Sequence, residues 1–396
     1  MQKRLNASLV FISLCLFFTD VFAGDQEEIA LLRQELQAIS HRLAALEARA
    51  GPGTKAATTQ TKPGWPERVK VNGDLRFRSE GIDEDTRDER WRQRVRARVG
   101  LTANVSETAE VGVQLASGSD DPTSTNQSFD GAASSKGLNL DLAYFALTSP
   151  AGNKIIGGKM KNPMFKPGKS SLVWDGDLNP EGLAWQFSQG QFFANLTGLW
   201  FEERSSRSDS IMLGGQAGVK TKLATGARIT AGLAYYDYAA TKGRTPFFDG
   251  DGHGNTLDAS GNYAFDFEIL EVFAEFSARL GDMPFSIYAD WVKNGAAGAQ
   301  DTGMAFGAKL GKASGAGTWE LGYTYKDLEA DAVVGLFTDS DTGGGGTAVS
   351  GHILNLAYGF NKRVKGSLTV FLTENSIDTP SERDYNRVQA DLSLKY

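Results

Sequence analysis

From Val69 to the C-terminus, apolar residues recur at every second position, the period of a strand with one apolar and one polar face. Sixteen such runs are predicted, at about 69–79, 92–105, 109–118, 138–148, 153–161, 182–188, 191–201, 208–220, 226–239, 266–279, 283–293, 302–311, 317–327, 350–360, 363–373 and 385–396. No helical period of useful length interrupts them. Their connections sort by length: short turns such as "SETA", "SPAG", "SQG", "LATG", "LGD" and "NKR" alternate with long polar segments at 119–137, 162–181, 240–265 and 328–349. A soluble sandwich also has period 2 but gives no reason for that alternation. Outer-membrane barrels do, having turns on the periplasmic side and loops outside. The pattern predicts an all-β fold, a sixteen-stranded antiparallel transmembrane β-barrel over 69–396.

Parity assigns the faces. In "RWRQRVRARVGLTANV" (90–105), Val95, Ala97, Val99, Leu101, Ala103 and Val105 share one face, and Arg94, Arg96 and Arg98 the other. An arginine on the lipid face at mid-bilayer costs about 2–4 kcal/mol, whereas in a wet lumen it stays hydrated. The arginines are therefore placed inside. The preceding run puts Asp74, Arg76 and Arg78 inside and Val71, Leu75 and Phe77 outside. Two adjacent strands thus form a basic wall of Arg76, Arg78, Arg94, Arg96 and Arg98. Other inward positions are mixed polar, including Glu110, Gln114, Asn139, Asp141, Lys159, Gln186, Gln216, Glu275, Asp290 and Lys309. Candidate aromatics for the membrane interfaces are Tyr144, Trp185, Trp200, Tyr235, Trp291, Trp319, Tyr358 and Tyr396.

The N-terminal part follows other rules. Lys3 and Arg4, the apolar "LVFISLCLFF" and "VFA" ending at Ala23 read as a secretory signal peptide. The single cysteine, Cys15, lies within it and follows Leu14, not the small residue that precedes a lipoprotein cysteine. Over 24–50, Ile29, Leu32, Leu36, Ile39, Leu43 and Leu46 make a heptad seam, flanked by the opposite-charge pairs Glu28/Arg33 and Arg42/Glu47. A short α-helical coiled coil is expected there, with a Gly/Pro/Thr/Lys-rich linker at 51–68.

Composition then removes function classes. A formal net charge of −7 argues against nucleic-acid binding, which rests on phosphate neutralisation by a basic surface. Nucleophilic catalysis needs a base beside the nucleophile. The three histidines are poorly placed for that: His41 on the polar face of the coiled coil, His253 in a loop and His352 at a strand start. Asp175, Asp177 and Asn179 begin like a calcium loop, but Pro180 replaces the turn glycine and Gln186 the bidentate acid. No enzyme activity, metal or cofactor is expected.

The stretches "VKVNGDLRFRSEGIDED", "LASGSDDPTSTNQSF", "GLNLDLAYF" and above all "GGKMKNPMFKPGKSSLVWDGDLNPEGLA" resemble the putative-porin family of Gram-negative outer membranes. With the heptads and the strand count, the resemblance spans nearly the whole mature chain. It implies a diffusion channel for small hydrophilic solutes and ions. By analogy with sixteen-stranded porins, loop 162–181 then folds into the barrel and narrows it. Its acids Asp175, Asp177 and Glu181 would oppose the basic wall and set a transverse field, with Lys161, Lys166 and Lys169 as the loop's cations. The resemblance also implies a homotrimer in outer-membrane lipid, with the coiled coil in the periplasm. Two alternatives stand beside the general pore: an anion-preferring channel, and a structural anchor that contacts the cell wall through the coiled coil.

Overall fold

The structure, a computed structural model, describes residues 68–396 and five earlier positions, Gln34, Gln37, Ala38, His41 and Arg42, all helical and exposed. The expected signal peptide, the seam residues Ile29 to Leu46 and linker positions 51–67 lie outside the described residues.

Sixteen long strands form one closed antiparallel sheet: β1 (Val69–Glu84), β2 (Arg90–Asn104), β3 (Ala109–Ser117), β4 (Leu138–Thr148), β5 (Lys154–Lys159), β6 (Glu181–Gln189), β7 (Phe192–Glu202), β8 (Ser210–Lys222), β9 (Arg228–Tyr238), β10 (Phe267–Leu280), β11 (Met283–Asn294), β12 (Thr302–Gly311), β13 (Thr318–Leu328), β14 (Val349–Gly359), β15 (Val364–Asn375) and β16 (Arg383–Lys395). Each pairs with its neighbours in sequence, and β16 closes on β1 from Asp74↔Lys395 to Glu84↔Tyr385. A two-residue segment, Gln127–Ser128, extends the β3 side of the ladder by pairing with Val95 and Arg94 of β2. Closure leaves no sheet edge to satisfy in lipid. At the seam Gly73 exchanges backbone hydrogen bonds with Tyr396, whose ring lies over it; a Cβ there would collide with the Tyr396 hydroxyl.

The predicted runs match these strands, most to within two residues at each end. The main difference is β1, which runs five residues past the expected end. Beyond Phe77 its outer positions are Ser79 and Gly81, too small and polar to mark a period, yet the ladder to β16 continues through them.

The barrel is apolar outside and carries its buried charges within, beside a cluster of inward apolar side chains. Val71, Leu101, Leu183, Leu196, Leu213, Leu233, Leu321, Leu356 and Leu372 are all exposed, whereas Asp74, Arg78, Glu80, Gln216, Glu271 and Arg387 are buried. Seven of the expected interface aromatics are exposed on the outside; Tyr144 is the exception. A bulge in the β3–β4 ladder, between Gln114 and Leu115, puts Asp141 out of register. Leu138 and Leu140 face out before it, but Leu142 is buried after it and Phe145 and Leu147 take over the outer face. Tyr144 accordingly turns inward, lies over Gly112 and donates to Glu110 at 3.0 Å.

Candidate pore constriction

The inner faces of β16, β1 and β2 carry the arginines, and the ladder register decides how they meet. Across β1 and β2, Asp74 lies opposite Arg98, Arg76 opposite Arg96, Arg78 opposite Arg94 and Glu80 opposite Arg92. Arg78 makes a bidentate pair with Asp391 of β16 (Nε 2.7 Å, Nη2 2.9 Å). Arg96 and Arg98 share Asp74 at 2.7 and 2.6 Å. Glu80, with no exposed side-chain surface, accepts from Arg387 at 2.5 Å and from Arg92. The wall is therefore an ion-pair lattice in which carboxylates from the same strands separate the guanidiniums. The sequence pattern places Asp74 on an inner face, and the same parity along β16 places Arg387 and Asp391 there. Glu80 and Arg92 follow from the same parity, extended along β1 and β2.

Two loops fold in to meet this wall. The first, 160–180 between β5 and β6, is driven inward by its apolar residues. Met160, Met164, Leu172, Val173, Trp174 and Leu178 are buried in one cluster with inward side chains of β9 to β13. Backbone contacts fix its path: Phe165 N–H donates to Gln216 Oε1 at 2.8 Å, and Gly168 N–H to Glu275 Oε2 at 2.6 Å. Gly168 is in the left-handed region (φ +58°), where a Cβ would collide with the Tyr288 ring. The second loop, 329–348 between β13 and β14, buries Val333, Val334, Leu336 and Phe337 against the first. Phe337 stacks on Phe201 (4.4 Å between centroids) and Trp174 (6.3 Å), and its carbonyl accepts from Asp175 N–H at 2.7 Å.

The loop acids have three different placements. Asp177 reaches the wall, 3.4 Å from both Arg96 and Arg98, in direct contact and not across a gap. Asp175 faces away from the arginines, into the junction of the two loops, where it accepts from Asp177 N–H (2.6 Å) and Ser340 N–H (3.0 Å). Burial, with Asp339 close by, pushes its carboxyl up to about 7. Glu181 corrects the expectation: it is the first residue of β6, is exposed and pairs with Lys159 at 3.0 Å. The ladder starts there because Pro180, which has no N–H, ends the loop one residue earlier.

A fourth acid, Asp341 of the second loop, was missed in the sequence because "DSDTGGGG" has no period to assign it a face. It lies 2.9 Å from Arg387 and 3.4 Å from Arg78. Burial opposes its ionisation, but Arg387 and Arg78 hold its carboxyl well below the usual range.

The loop lysines serve the loop itself. Lys166 donates to the carbonyls of Trp174 and Asp175 at 3.2 Å, and Lys161 to Asn179 Oδ1 at 3.1 Å; burial lowers both ammonium groups. Lys169 is exposed at the end of the short turn Pro167–Lys169.

A closed polar-lined barrel narrowed by an inward loop has the geometry of a diffusion pore. A family model described as "Putative porin" matches residues 82–249 and 253–396. The chain belongs to this family. Among solved structures, the chain is similar to OprB of Pseudomonas putida in its high-pH form, with a TM-score of 0.58 at 12% identity over 83% of this chain and 94% of that one. The low-pH form of the same protein gives 0.52 at 10% identity, over 83% and 93%. A triple mutant of the Rhodopseudomonas blastica porin gives 0.50 at 13%, over 83% and 100%. At these identities the likeness concerns the fold. A search of curated proteins finds no match. Family and fold together make the chain an outer-membrane porin, a channel for passive diffusion of solutes.

Proposed function

We propose that this porin passes small hydrophilic solutes and ions through the aqueous lumen beside the arginine wall and the loops that meet it, and that this lumen favours anions. The observation that carries the reading is the charge count at the wall. Seven guanidiniums (Arg76, Arg78, Arg92, Arg94, Arg96, Arg98 and Arg387) meet five carboxylates (Asp74, Glu80, Asp177, Asp341 and Asp391). A charge excess at a narrow point biases which ions pass. A homotrimer with the N-terminal heptads as a periplasmic parallel coiled coil fits the same reading, since a seam of Ile and Leu needs partner helices. Planar-bilayer recordings test it: a salt gradient is expected to shift the reversal potential toward the anion. A barrel that inserts but conducts nothing would leave only the structural anchor.

A further inference from the structure

We infer that the wall carries a binding site for a small oxyanion, a carboxylate or phosphate group, centred on Arg76 and Arg94 and covered by Ser124–Asn126. The inference rests on the channel reading and adds to it a defined place where a solute pauses. Register creates the site. Arg76 stands opposite Arg96 and Arg78 opposite Arg94, so four guanidiniums occupy one block on two strands. Like charges directly opposite destabilise a sheet. One diagonal of the block is neutralised: Arg78 by Asp391 at 2.7 Å and Arg96 by Asp74 at 2.7 Å.

The other diagonal is not closely paired. The nearest carboxylate to Arg76 is Asp391, at 3.9 Å and already bidentate with Arg78. Arg94 has Glu80 at 3.6 Å, which is held more closely by Arg387 and Arg92. Neutral oxygens stand where carboxylates would. Arg76 donates to Asn126 Oδ1 at 2.5 Å, and Arg94 donates at 3.5 Å to Ser124 Oγ and to the Asn126 carbonyl. Of the acids of this loop, Asp121 is engaged by Thr123 N–H and Oγ1, and Asp130 by Lys136 at 2.8 Å. Arg76 Nε and Arg94 Nε are buried without a partner, as is Arg96 Nε on the neutralised diagonal.

Two under-neutralised guanidiniums with the hydroxyl of Ser124 beside Arg94 form a donor set. Guanidinium forks match carboxylate and phosphate oxygens bidentately. An arriving oxyanion replaces Arg94's long contacts to Ser124 and the Asn126 carbonyl with charge-assisted ones.

Titration calorimetry of the detergent-solubilised protein with sodium phosphate and with sodium acetate, in constant sodium chloride, tests this without relying on conduction. Saturable binding of at least one is expected; acetate alone assigns carboxylates, and phosphate alone assigns phosphates. Asn126→Asp keeps both arginines and supplies the missing carboxylate, so the barrel should fold at least as well. It is expected to weaken binding about tenfold or more, the worth of one hydrogen bond to a charged group. No saturable heat from either salt, or Asn126→Asp binding like the parent, overturns the site. A barrel that binds but does not conduct chloride sinks the channel reading alone.

Discussion

Asp74 shows what the arginines do besides facing solutes. The residue is 8% exposed, and its carboxylate is held by Arg96 and Arg98 together. Removing the partners of a buried charge costs about 3–5 kcal/mol, because the remaining charge is left uncompensated. Changing Arg96 and Arg98 to Ser is therefore expected to lower folding stability by roughly 3 kcal/mol, at the low end because the lumen is partly wet. Adding Asp74→Asn should recover most of the loss, measured by urea unfolding of the barrel in vesicles. An unchanged midpoint in the double-Ser variant would mean that Asp74 is satisfied elsewhere. The sequence had both arginines and Asp74 on inner faces. Parity alone could not give their pairing, because which residues stand opposite depends on the stagger of β1 against β2.

At the scale of elements, the strands were legible and the loops were not. A strand in lipid repeats one rule at every second residue, and the rule weakens where its marker residues are missing (β1 beyond Phe77), where the register slips (the bulges at Asp141 and after Trp200) and where apolar side chains such as Tyr236, Ile269 and Val292 face inward to meet the loops. The inward loops follow no period. Their paths depend on distant partners, such as Phe337 against Trp174 and Gly168 against Tyr288. The junction of the two is pH-sensitive in a direction that can be worked out. Asp175 faces Asp339 and Asp177, with Lys166 and Lys326 nearby, and burial raises its carboxyl from 3.8 to about 7. A raised folded value means that the neutral acid is favoured in the folded junction. Its stabilisation is complete below about 3.8 and is lost as pH rises through about 7. Hydrogen exchange of segments 171–177 and 337–341, corrected for intrinsic rates, is expected to quicken between pH 5 and pH 8, by the linkage of burial to protonation. In Asp175→Asn, which cannot ionise, the profile should be flat across that range. A parent profile equally flat would place the titration elsewhere.

The whole molecule inverts the usual arrangement, and the same physics explains both its legibility and its tolerance of charge. Lipid is as apolar as a protein core, so the outward face takes leucine and valine, and water in the lumen takes the ions that a soluble core would exclude. One substitution should thus have opposite consequences on the two faces. Leu196, mid-strand on β7 and 52% exposed, faces lipid; Ser367 on β15 faces inward, opposite Asp391 in the ladder. Leu196→Arg is expected to cost about 2–4 kcal/mol, the value for a cation on the lipid face near the midplane. Ser367→Arg adds the same side chain beside a carboxylate in a hydrated lumen, where it should change stability by less than about 0.5 kcal/mol, as a substitution without a buried defect does. Urea unfolding of both variants in the same vesicles gives the comparison. Equal losses would contradict the assignment of faces on which the pore, its wall and its loops all depend, whereas a loss confined to Leu196→Arg ties the period-2 pattern directly to the membrane.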